Sequence, residues 1–191
     1  MKKLLITTLL VAVFVFLAGC APTGSGNSGE DVVGSLEWAR KIAEEVRDAE
    51  LPNAPCYSIT SYSVDGTGKI EQGGSWFLAF EGTEGENYGL SVTVTYDGET
   101  EVDYYSGYDR TELPSYSNGK VSTWFNIADE AVNASTLDYD RHWFVCVDDA
   151  SNSFEGADFV AAVLYVHDTQ GYVAMVVMNA NTGEVLEVEM Y

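Results

Sequence analysis

The stretch Leu90-Ser91-Val92-Thr93-Val94-Thr95-Tyr96-Asp97-Gly98 alternates apolar with small polar residues and closes on Asp-Gly. A side-chain period of two is that of a strand with one face buried and the other in solvent, so it predicts an antiparallel sheet with a single covered face. Asp97-Gly98 suits the positive φ of a tight hairpin, and Thr100, Val102 and Tyr104 resume the alternation on the return strand.

Upstream, Trp76 to Phe80 predicts a short apolar strand and Tyr57 to Val64 another. The turn Asp65-Gly66-Thr67-Gly68 lies between them. Before these the period changes. Leu36, Ala39, Ile42, Ala43, Val46 and Ala49 recur at spacings of three and four, one face of a helix over 31–51 that Pro52 ends. Downstream, Tyr105 to Lys120 carries Gly107, Pro114 and Gly119 and is expected to be irregular, with Tyr104, Tyr105, Tyr108 and Tyr116 gathered there. A second helix is expected from Ser122 or Thr123, either of which can cap it, with Trp124, Ile127, Ala128, Ala131 and Ala134 on its apolar side. Strands are then expected at Trp143 to Val147, Phe159 to Val166 and Tyr172 to Met178. A turn at Asn179 to Gly183 leads to an alternating C-terminal strand.

The expected fold class is therefore α+β: two successive helix-then-antiparallel-sheet units of αβββ type, 31–110 and 118–191. Two origins stay open, an internal duplication of one unit or two unrelated segments of similar pattern.

The start of the chain has another character. Met1-Lys2-Lys3 is followed by fifteen uncharged residues, Leu4 to Ala18, and then Gly19-Cys20. A bilayer span takes about 20 apolar residues, so this run fits a secretory leader over 1–19 better than a transmembrane helix. Leu17-Ala18-Gly19-Cys20 resembles the lipobox of bacterial lipoproteins. The resemblance implies thioether attachment of a diacylglyceryl group to Cys20 and cleavage before it, so that Cys20 becomes the lipidated N-terminus. Residues 20–30, rich in Gly and Ser, read as a flexible tether. The implied location is a cell membrane or outer membrane, lipid-anchored, outside the cytoplasm.

Charge narrows the function. Nine basic residues face 30 acidic ones, a net charge of -21, and two of the nine are Lys2 and Lys3 in the leader. Such a body repels phosphate, so nucleic acid is excluded as a partner. With 46% hydrophobic residues the chain can bury a core, which excludes wholesale disorder.

No catalytic set stands out. His142 and His167 show no metal-ligand spacing and read as rim residues at strand ends, and no Gly-x-Ser-x-Gly occurs. Two acidic clusters, Asp148 to Asp158 and Asp97 to Asp103, lack the Asp-x-Asp-x-Asp-Gly calcium loop and read as solvated surface. No metal and no cofactor is assigned. With Cys20 lipidated, Cys56 and Cys146 are an even pair in an exported chain, and a disulfide between them is expected. It would close a loop of about 90 residues, worth roughly 4–5 kcal/mol in the chain-entropy description.

Asn179-Ala180-Asn181-Thr182-Gly183-Glu184-Val185-Leu186 resembles the closing hairpin of PepSY domains, in which a helix and antiparallel strands precede a turn of this form. The likeness runs over roughly 122–191, departs from the family in the polar insertion Asp148 to Asp158, and implies a PepSY/cystatin-like accessory domain associated with protease regulation. It carries over no catalytic residue. The expected function is thus a non-enzymatic, lipid-anchored envelope protein that binds a peptide or modulates a peptidase. The alternatives are a metal-dependent envelope hydrolase using an acidic site and a purely structural lipoprotein.

Overall fold

Ser35 opens the first helix, its side chain accepting a hydrogen bond from the Trp38 N–H, one of the donors that a helix start leaves without an internal partner. The helix, α1 (Leu36–Glu50), buries Leu36, Ala39 and Ala43 and stops ahead of Pro52. The structure, a computed structural model, describes residues 32–82, 88–106, 111–148 and 154–191. The leader, Cys20, the tether, Tyr108 and, from the polar loop after Asp148, Asp149, Asn152 and Ser153 lie outside them.

Four strands follow α1: β1 (Cys56–Val64), β2 (Ile70–Glu81), β3 (Tyr88–Thr95) and β4 (Thr100–Ser106). Then come α2 (Asn118–Val132), a 3-10 turn at Ala134–Thr136, and β5 (Arg141–Asp148), β6 (Phe159–His167), β7 (Gly171–Asn179) and β8 (Val185–Met190). All eight strands belong to one antiparallel sheet in the order β4-β3-β2-β1-β5-β6-β7-β8.

This overturns the expectation of two αβββ units. Each helix is followed by four strands rather than three, and the two sets are fused into a single sheet by pairing of β1 with β5, with Ser61 opposite Phe144 and Ile59 opposite Cys146. Alone, each set would present an apolar strand with a row of unsatisfied backbone N–H and C=O groups; joining these strands satisfies them and leaves only β4 and β8 as edges.

α1 leans on β2 and β3, and α2 on β6, β7 and β8. One core lies between helices and sheet, joining Leu36 and Ala43 of α1 and Trp124, Phe125 and Ala128 of α2 to Trp76, Leu78, Phe80, Val92, Phe144 and Val163. Trp124 stacks on Phe144 at 5.6 Å between ring centroids. Fully burying one such large apolar side chain is worth roughly 1.5–3 kcal/mol.

The start of α2 is also corrected. Its cap is Ser117, which accepts from the Lys120 N–H. Ser122 donates instead to the Thr67 carbonyl at 2.7 Å, and Thr123 back-bonds to the Gly119 carbonyl at 2.8 Å. Gly119 stands in the first turn, where the helix is least demanding of its residues.

Candidate binding face

Residues opposite one another in a sheet share a face, so the register reads off what the side away from the helices presents. One row crosses all eight strands: Glu101, Thr93, Phe77, Thr60, Val145, Ala162, Val177 and Glu187. The next row contains Ser75, Tyr62, Trp143, Leu164, Met175 and Glu189. This face is therefore divided. Over β2 and β3 it is mainly small and polar, over β5, β6 and β7 it is apolar, and both edge strands put carboxylates on it.

Among the described residues no helix covers the apolar part. A second hydrophobic cluster forms there around Val160 and Val177, with Val147, Ala162 and Met175 against it, and Phe154 and Ala157 fold over it from the loop before β6. Beyond that corner the apolar surface is open. Tyr62 and Trp143 meet edge to face at 5.1 Å, Trp143 and Tyr172 at 5.6 Å, and Tyr172 and Tyr191 lie 6.1 Å apart. Tyr62, Tyr172 and Tyr191 are 46%, 47% and 67% exposed. Four aromatic rings thus make a continuous band from β1 to the residue following β8. Aromatic rings offer large contact area with few torsions to freeze, the property of side chains that anchor protein interfaces.

The tyrosines that gather in sequence around the mid-chain break are not part of this band. Tyr104 and Tyr105 are on β4, and Tyr116 is buried edge to face against Trp124 at 4.8 Å. The band was missed because its members come from four separated segments. The signal was present in β5, β6 and β7, which are apolar at successive positions, while two helices can cover only one side of a sheet.

The other expected site residues fall as follows. Cys56 and Cys146 lie on adjacent central strands, both buried, as two unbonded thiols. Burial pushes the Cys56 thiol up to about 11, and the Cys146 thiol is also raised, first by burial and then by the neighbouring Cys56. Asp148 is buried rather than solvated, and its Oδ2 accepts from the Thr111 N–H at 3.2 Å. Glu101 and Asp103 are on the open face. Among the described residues no group of three or more His, Cys, Asp and Glu stands close enough to hold a metal ion.

His142 is not on a rim. It is 4% exposed and boxed by Phe125, Tyr139 and Tyr165, with ring centroids 4.9 to 5.2 Å away. Its Nδ1 donates to the Val64 carbonyl at 3.2 Å, which leaves Nε2 as the bare nitrogen, 3.9 Å from Asp129 Oδ1. Asp129 accepts from the Tyr165 hydroxyl at 2.7 Å. Burial lowers the His142 pKa, opposed by the Val64 bond and the Asp129 charge. This packing supports α2 on β5 and β6. His167 is partly buried beside Asp138 and Asp140, at 3.9 and 3.7 Å. A depression between α1 and the segment leading into α2, lined by Glu37, Arg40, Lys41 and Glu44, is shallow, and Arg40 is paired there with Glu44 at 2.8 Å.

No family model, no curated protein and no solved structure matches this chain. Among the described residues no helix is long and apolar enough to cross a membrane.

Proposed function

We propose that this chain is a lipid-anchored protein of the cell envelope, held at the membrane through Cys20, that binds a protein or peptide partner on the open face of its sheet and regulates it without chemistry of its own. The PepSY resemblance makes a peptidase the first partner to test. The observation that supports the binding role is the band Tyr62–Trp143–Tyr172–Tyr191, on the face that no helix among the described residues covers, with its three tyrosines exposed. A tether of Gly and Ser after Cys20 would hold that face clear of the lipid, and the acidic body favours the standoff because an anionic leaflet repels it. Export would also oxidise Cys56 and Cys146 to a bridge across the β1–β5 seam, the two thiols passing two protons and two electrons to a disulfide-exchange partner of the oxidising compartment.

The experiment has two arms. Cys20→Ala is expected to abolish incorporation of labelled fatty acid and leave unprocessed precursor; continued acylation would refute the anchor. The chain with Trp143→Ser and Tyr172→Ser is expected to keep its far-ultraviolet circular dichroism but lose proteins that co-purify with the wild-type chain from native membranes. Unchanged co-purification would refute the face.

A further inference from the structure

We infer that the occupant of the open face is a cationic segment of another protein, extended across the strands with Arg or Lys side chains on the aromatic band. This rests on the binding role proposed above and specifies its ligand. The charges of the molecule are sorted by layer. Among the described residues the cations are Arg40, Lys41 and Arg47 on α1, Lys120 on α2, Lys69 in the β1–β2 turn and Arg141 on β5. The five before Arg141 lie on the helices or in a turn. Arg141 faces the open side opposite Val166, but it is held by Asp168 at 2.5 Å and by the Ser63 hydroxyl at 3.2 Å. The open face thus offers a partner no uncommitted positive charge among the described residues.

Its anions are uncommitted. Glu101 and Asp103 on β4, and Glu187 on β8, have no ion-pair partner among the described residues, and Glu189 accepts only from the Tyr191 hydroxyl at 2.5 Å. Carboxylates therefore rim the face at both edges, with the aromatic band between β1 and β8. Ring faces attract guanidinium and ammonium groups, and the long aliphatic stems of Arg and Lys pack on apolar surface such as Leu164 and Met175 while their charged ends reach outward to the rims. An anionic segment would meet repulsion at both rims. A purely apolar occupant would leave the rim carboxylates without counter-charge.

The test uses the mature lipidated chain in detergent micelles. Its probes are a synthetic peptide alternating Arg and Leu, the same peptide with Glu for Arg, and vesicles of anionic or zwitterionic lipid, with tryptophan fluorescence as the readout. The Arg–Leu peptide is expected to bind and to weaken as salt rises. Trp143→Ala, and separately the pair Glu187→Gln with Glu189→Gln, are each expected to weaken it about tenfold, the second with a flatter salt dependence. The pair Glu45→Gln with Asp48→Asn on α1 removes the same charge and is expected to leave affinity unchanged. Equal loss from the α1 pair would show attraction to net charge alone and overturn the inference. So would equal binding of the Glu–Leu peptide, tighter binding to vesicles, or dimerisation of the chain that Trp143→Ala abolishes. If the face binds its native partner but does not prefer the cationic peptide, the cationic occupant fails and the binding role stands.

Discussion

Trp76 of β2 and Phe144 of β5 meet edge to face, 6.0 Å between centroids, above Ser61 of β1, the residue that pairs with both. The central strand carries a small side chain at this point, so two large rings from its neighbours can close over it, and this contact ties the two four-stranded halves of the sheet together on the helix side. The Ser61 hydroxyl is buried beneath them without a hydrogen-bond partner.

Ser61→Ala is accordingly expected to be neutral or slightly stabilising, because it removes an unsatisfied polar atom without opening a cavity. Ser61→Leu would force the rings apart and is expected to cost about 1–3 kcal/mol. Urea denaturation checks both, and a loss of more than about 1 kcal/mol in the Ala variant would contradict the packing described.

Gly34 holds the entry to the fold. Its carbonyl accepts from the Trp76 indole N–H at 2.8 Å and from the Ile70 N–H at 2.9 Å, at φ +85. A Cβ there would stand 2.7 Å from the Ile70 carbonyl oxygen. Gly34→Ala is expected to cost about 1–3 kcal/mol or more, read as a lower denaturation midpoint with unchanged slope.

His142 predicts an acid-side loss of stability. Burial lowers its folded pKa below the unfolded value of about 6.5, so the unfolded chain takes up the proton first. Its contribution is fully present above that pH, declines as pH falls toward the lowered folded pKa, and levels off below it. The charged groups that act on the ring are Asp129, Asp65 and Glu71, all favouring the proton. His142→Phe fills the aromatic box without a titratable group and is expected to flatten this part of the pH–stability curve. An unaltered curve would show that other groups set it.

The proposed bridge is read by thiol counting. The exported mature chain, denatured without reductant, is expected to show no free thiol and to show two after reduction, since a thioether at Cys20 does not count. Two thiols before reduction would leave Cys56 and Cys146 as the separate buried pair they form in the structure.

Local order was readable where the chemistry is local. The alternation from Leu90 to Thr95, the Asp97-Gly98 hairpin and the Asn179 to Gly183 turn, where Asn179 Oδ1 accepts from the N–H groups of Asn181 and Thr182, are properties of neighbouring residues. The onset of α2 was hidden by Gly119, and the first part of β2, which runs from Ile70 through Gly73 and Gly74, lacks the apolar run that marks Trp76 to Phe80. The pairing of β1 with β5 joins residues some eighty positions apart. No periodicity within either strand specifies that partner, so one sheet was read as two. The aromatic band depends on the same pairing, because only β1 beside β5 brings Tyr62 to Trp143.

The central claim, that the uncovered side of the sheet is the working surface, is tested most directly by site-specific photo-crosslinking in native membranes. A benzophenone amino acid replaces Tyr62 or Tyr172 on the open face, or Lys41 or Glu45 on α1, in the otherwise intact chain. The predicted result is one discrete heterologous adduct from both open-face positions, lost with Trp143→Ala, and none from α1. Adducts confined to the α1 positions, or undiminished by Trp143→Ala, would contradict it.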